Sequence, residues 1–154
     1  MKFDSIDRAI LNLLQRDANT SVADIAALVG LSVSPCWRRI QILESKGLID
    51  KRVALLNPEK IGLFLTVFVQ VKAAKHDKLW LDKFAQHADS FAQVTEFYRM
   101  SGEYDYLLKV QVADMASFDH FYKRFIAGID LQDVTSSFAM ERIKYSTALP
   151  LDQL

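Results

Sequence analysis

The chain has 154 residues, of which 51% are hydrophobic and 25% charged; these are ordinary globular values, and they exclude collagen-like, mucin-like and disordered classes. Lysine plus arginine equals aspartate plus glutamate at 19 each, so the molecule as a whole is not a basic coat for nucleic acid. The length allows one large domain or two small ones. Charge divides unevenly between the two ends: residues 1–60 hold nine basic against seven acidic side chains, and residues 61–154 hold ten against twelve. The bias is strongest from Ser34 to Arg52, where Arg38, Arg39, Lys46, Lys51 and Arg52 stand against Glu44 and Asp50. Any phosphate-facing surface is expected there.

A single cysteine, Cys36, forms no intrachain disulfide, and no Cys/His cluster has zinc-site spacing. The start Met1-Lys2-Phe3-Asp4-Ser5 lacks the apolar stretch of a signal peptide, and nothing approaches the ~18 apolar residues of a membrane span. The expectation is a cytoplasmic protein with no membrane partner.

The apolar residues Ile6, Ile10, Leu13 and Leu14 recur at helical spacing, with Asp4 as an acidic N-cap, and predict a first helix ending near Gln15. Ser21 caps a second helix with Val22, Ile25, Ala26 and Val29 inward. Gly30 stops it in a left-handed conformation that glycine adopts without side-chain conflict. Ser32 or Ser34 caps a third helix, Pro35 sits in its first turn, and Cys36, Ile40 and Leu43 form its buried stripe before Gly47 ends it. Two helices joined by a short glycine turn, with small Ala26 allowing close approach, form a helix-turn-helix. An ordinary helical hairpin shares this pattern, but the local basic excess favours DNA. Ser32, Val33, Ser34, Trp37, Arg38 and Gln41 fall at the start or on the outward side of the third helix, where hydroxyls, backbone N–H groups and an arginine fork suit phosphates and base edges. Trp37 has a second reading, packed against the first helix. Cys36 reads as a small core residue rather than a thiol sensor.

Residues 48–56 read as an extended segment, a wing or a strand lying across to a partner subunit, and Asn57 to Gly62 as a boundary, giving domains 1–61 and 62–154. Beyond it, Leu63 to Val71 predicts a strand apolar on both faces, followed by a helix over Asp77 to Ala88. Strands Val94–Met100 and Tyr106–Val112 follow, joined by the turn 101–105. A helix over Met115 to Ala127 carries Phe118, Phe121, Tyr122 and Phe125 on one stripe, and a last strand runs from Val134 to about Tyr145. The fold class is α+β: a helix-turn-helix domain, then a ferredoxin-like βαββαβ domain with helices on one face of a four-stranded antiparallel sheet. Phe64, Phe68 and Leu107 would face away from those helices, which implies a sheet-to-sheet dimer. His76, His87 and His120 fit no hydrolase or metalloprotease arrangement, and no glycine-rich phosphate loop appears, so an enzyme is not expected.

The motifs Asp4-x-x-Asp7, Leu31-Ser32-x-Ser34-Pro35-Cys36-x-x-Arg39, Leu43-Glu44-x-x-Gly47-x-Ile49, Gly102-x-Tyr104-Asp105-Tyr106 and Leu149-Pro150-Leu151 resemble, in order along the chain, the Lrp/AsnC (feast/famine) family of regulators. The resemblance implies a DNA-binding regulator whose C-terminal domain forms dimers and higher assemblies such as octamers, with no cofactor beyond an amino-acid effector. It implies DNA contacts at Ser32, Ser34, Arg38 and Arg39. Val33 departs from the proline that many members carry there. It also implies an effector site at Met100, Gly102, Glu103, Tyr104 and Asp105, with Thr135, Ser136 and Ser137 on the neighbouring subunit's side. The stretch from Val134 to Glu141 resembles the DecR-like branch and so points to cysteine as effector. The residues alone admit a small amphoteric ligand, with Asp105 facing an ammonium group; they equally admit a plain hairpin turn. An effector-independent DNA-architectural protein is the alternative function.

Overall fold

A computed structural model describes residues 4–75 and 77–153; the readings made on Met1 to Phe3 and on His76 lie outside the described residues. The chain divides into two compact units, one running up to Leu55 and resuming at Lys144, the other spanning Leu56–Ile143. The sequence expectation divided the chain at 61/62 and kept the C-terminal residues with the second domain; the structure divides it earlier and groups the C-terminal segment with the first unit.

Three helices build the first unit: α1 (Ser5–Leu14), α2 (Val22–Val29) and α3 (Val33–Ser45). Helix α1 begins with a reciprocal capping box, in which the Asp4 carboxylate accepts from the Asp7 N–H and the Asp7 carboxylate from the Asp4 N–H. Ser21 caps α2 through the Asp24 N–H, and Gly30 closes it at φ +71°, where the Gly30 and Leu31 N–H groups both reach the Ala26 carbonyl. Ile10, Ile25, Ala26, Cys36, Ile40 and Leu43 form the shared core, almost wholly removed from water. Residues 149–152 join this unit. The Gln15 side chain donates to the Leu149 carbonyl and accepts from its N–H, Asn12 donates to the Asp152 carboxylate, and Leu151 packs on the core.

The second unit holds β1 (Leu65–Ala73), α4 (Lys78–Asp89), β2 (Val94–Arg99), β3 (Tyr106–Val112), α5 (Met115–Ala127) and β4 (Leu131–Phe138). The strands form one antiparallel sheet in the order β2-β3-β1-β4, the ferredoxin-like topology expected. Val67, Val69 and Val71 of β1 and Leu108 and Val110 of β3 are fully buried under Phe84, Phe121 and Phe125 of the two helices. Each such aromatic contributes on the order of 1.5–3 kcal/mol by leaving water. The aromatic stripe of α5 is core, with Phe121 stacked on Phe125 and Phe118 edge-on to Phe138.

Only one face of β1 is covered within the chain. Its opposite face carries Thr66, Phe68 and Gln70, flanked in register by Lys109 and Leu107 on β3 and by Ser137 and Thr135 on β4. Phe68 is exposed there, as is Phe64 just before the strand. Expected extents differ in places: the first strand runs from Leu65 to Ala73 rather than from Leu63 to Val71. The last strand begins at Leu131 and ends at Phe138, because β1 supplies partners only from Ala73 back to Val67, with one further bond from the Ala139 N–H to the Thr66 carbonyl. Residues 48–56 pair with no strand among the described residues of the chain.

Candidate functional site: a recognition helix and an effector turn

The outward side of α3 is a continuous polar and aromatic strip. Ser32, Val33, Ser34, Trp37, Arg38 and Gln41 are all exposed, and Trp37 at 52% exposure faces outward rather than onto α1. Ser32 is the N-cap, yet its side chain makes no capping bond. Its hydroxyl and the N–H groups of the first turn are therefore uncommitted at the positive end of the helix dipole. Arg38 faces outward with no carboxylate partner among the described residues. Gln41 donates to Glu44, whose other oxygen accepts from Arg52 at 2.7 Å.

Arg39 is held differently. Its Nη1 lies 2.7 Å from Asp4 Oδ2 and 2.8 Å from Asp7 Oδ1, at the first turn of α1. The Asp7 N–H, followed by the Arg39 guanidinium, holds the Asp4 carboxyl below its ordinary range; the bonds to Asp7 and Asp4 raise Arg39 further. Cys36 is fully buried, and burial pushes its thiol up, the opposite of a reactive thiolate.

The second candidate region is the turn between β2 and β3. A pocket of ≈ 400 Å³ opens there, lined by Gln70, Met100, Ser101, Gly102, Glu103, Tyr104, Tyr106 and Leu107. Four of the eight expected effector residues, Met100, Gly102, Glu103 and Tyr104, line it. Asp105 does not. Its carboxylate accepts from the Ala73 N–H at 2.8 Å and its own N–H donates to the Val71 carbonyl, so it fastens the turn to the end of β1. Gly102 has φ +149°, a backbone conformation that favours glycine, with open space where a Cβ would stand.

Thr135 is linked to the pocket through Tyr104, whose hydroxyl is 2.9 Å from Thr135 Oγ1 and 3.3 Å from Asp133 Oδ2. Ser137 lies further along the same sheet face, opposite Phe68, whereas Ser136 pairs with Val69 and so points to the helix-covered face. Sequence reasoning missed Gln70, Ser101, Tyr106 and Leu107. The alternation of β1 already put Gln70 on the face with Phe68, but its neighbour Leu107 follows only from the register of two strands 37 residues apart.

His87 is structural, with Nε2 donating to the Phe125 carbonyl at 2.8 Å. Among the described residues no cluster of His, Cys, Asp or Glu could hold a metal ion, and no helix is long and apolar enough to cross a membrane.

Comparison with known proteins matches both units. Residues 3–50 fit the family model of winged helix-turn-helix DNA-binding domains, and residues 66–149 that of the Lrp/AsnC ligand binding domain. The DNA-binding transcriptional activator DecR of Escherichia coli K12 is 50% identical over 150 residues, 97% of this chain and 99% of that protein. The crystal structure of an AsnC family transcriptional regulator from Agrobacterium tumefaciens superposes with a TM-score of 0.95 at 54% identity, covering 99% of both chains. A transcriptional regulator from Neisseria meningitidis, solved as a complex with L-methionine, gives 0.94 at 34% identity, again over 99% of both.

Proposed function

The chain belongs to the Lrp/AsnC family of transcriptional regulators, which are not enzymes, and on that premise we propose that it binds specific duplex DNA through α3 under control of a small amino acid bound at the turn 100–104. The observation that carries the reading is the outward strip of α3, where an unpaired arginine, a free cap hydroxyl and an exposed tryptophan lie together on a helix with no core role for them. In major-groove docking Arg38 reads a base edge or holds a phosphate, Gln41 lies one turn on, and Ser32, Val33 and Ser34 approach the backbone of the DNA.

The pocket at the turn suits an amino acid. Glu103 is the carboxylate in its lining and faces the ammonium group, Ser101 and Gln70 supply hydrogen bonds, and Met100 and Leu107 give an apolar wall. Asp105 keeps the turn in place for this. The helix-free sheet face, with Phe68 at its centre, is the dimer surface, and dimers assemble further, for instance to octamers. A two-fold dimer presents two recognition helices, so half-sites should lie about 10 bp apart or a multiple of that.

Cysteine is the first effector to test, because the β4 segment resembles the DecR-like branch. Methionine is the second, since it occupies a structural relative. A thermal-shift screen of the full chain against the twenty amino acids in reducing buffer, followed by DNA titration with each hit, decides. The reading expects one or a few amino acids to raise the melting temperature and change DNA affinity, because a ligand shifts a binding equilibrium only by favouring one state. DNA binding untouched by every amino acid would instead identify an effector-independent architectural protein.

A further inference from the structure

Arg38 and Arg39 are consecutive cations on α3, but their surroundings are opposite. Consecutive residues on a helix point about 100° apart, which sends Arg38 outward and turns Arg39 toward the start of α1. One guanidinium nitrogen of Arg39 there meets both Asp4 and Asp7, at 2.7 and 2.8 Å. The two carboxylates are themselves locked to each other's backbone by the reciprocal capping box. The cluster of one cation and two anions carries a net charge of −1. Its guanidinium therefore has no unshared positive charge to offer a phosphate, and a DNA oxygen would have to displace two carboxylates already in place.

We infer that Arg39 is a positioning residue for DNA recognition rather than a DNA contact: it pins the middle of α3 to the first turn of α1 and so sets the rotation at which Ser34, Arg38 and Gln41 meet the bases. The pair with Asp4, at side-chain exposures of 33% and 51%, contributes little to folding stability; the pair with Asp7, whose side chain is 19% exposed, is part-buried. Its value is geometric. The apolar stripe of Cys36, Ile40 and Leu43 fixes which face of α3 is buried, but a smooth apolar contact tolerates small rotations. A polar bond to a rigid cap does not. Base readout is sensitive to such rotations, whereas attraction to the phosphate backbone is not.

The inference rests on α3 being the recognition helix, and the test separates the two. Full-length wild type, Arg38→Ala, Arg39→Ala and Asp7→Asn are titrated by fluorescence anisotropy onto a duplex enriched from a random pool by the wild type, and onto a scrambled duplex, over a range of salt concentrations. Circular dichroism checks that each variant is folded. The clamp predicts that Arg39→Ala and Asp7→Asn both lose preference for the enriched over the scrambled duplex by roughly tenfold, while the salt slope stays at the wild-type value. Asp7→Asn is the sharper arm, because an amide has one acceptor oxygen where the carboxylate uses two, Oδ1 for Arg39 and Oδ2 for the Asp4 N–H, and so cannot hold both. Charge alone would tighten its binding to every duplex.

A salt slope flattened by about one unit in Arg39→Ala, with equal loss on both duplexes, would make Arg39 a phosphate contact and overturn the inference. So would an unchanged preference in Asp7→Asn. If the wild type itself prefers no duplex, or Arg38→Ala behaves as wild type, it is the recognition-helix reading that fails.

Discussion

Gly128 illustrates how much at the residue scale depends on partners distant in sequence. A Cβ built there would lie 2.1 Å from Cε1 of His87, the ring that stacks on Phe125 and donates to its carbonyl. Gly128→Ala must displace that ring and is expected to lower the melting temperature clearly, whereas in a His87→Ala background the same change should cost far less. Thermal unfolding of the two single variants and the double variant checks this, and additive losses would contradict it. The sequence signalled none of it, since nothing around Gly128 points to His87, 41 residues earlier. Arg39 was opaque for the same reason. Its place on α3 was legible, but its carboxylate partners follow only from how α1 docks on α3. Asp105 was legible as a charged turn residue, yet its bond to the Ala73 N–H depends on where β1 ends. By contrast, Cys36 was legible as core, because it falls on a stripe with Ile40 and Leu43 that admits no other face.

At the scale of elements, periodicity carried most of the information. The spacing of Phe118, Phe121 and Phe125 placed α5, the caps Asp4, Ser21 and Asp114 sit at helix starts, and the alternation of β1 divided its faces. The ends of elements are set by partners instead: β4 stops at Phe138 opposite Val67, near the start of β1, which no local pattern announces. The helix-free face was legible as a surface in need of cover. Phe68 is exposed there beside Lys109 and Ser137 in register. In the proposed sheet-to-sheet dimer, replacing it with glutamate puts two like charges face to face across the two-fold axis, so the account of that face expects Phe68→Glu to run as a monomer in light scattering, against a dimeric wild type, with the helical circular dichroism signal intact. A dimer of unchanged stability would move the interface elsewhere.

Over the whole molecule, the order of the two units was readable from composition, the charge bias and the change of period near Asn57. The return of the chain to its first unit was not. Leu149 and Leu151 meet Gln15 and the helical core across more than 130 residues, and no local pattern in Leu149-Pro150-Leu151 points to that partner. Leu151→Ala should therefore lower the stability of the helical unit, by about 1 kcal/mol for a partly buried side chain, measured by denaturant unfolding followed at Trp37. No change would mean that the C-terminal segment is not part of that unit's packing.

DNA reading by the outward strip of α3 is decided by titrating the full chain and Arg38→Ala onto enriched and scrambled duplexes. The wild type should prefer the enriched duplex, and Arg38→Ala should lose ~1–3 kcal/mol of that preference with its fold unchanged. Equal affinity of the wild type for both duplexes, or an Arg38→Ala variant that discriminates as well as the wild type, would contradict it.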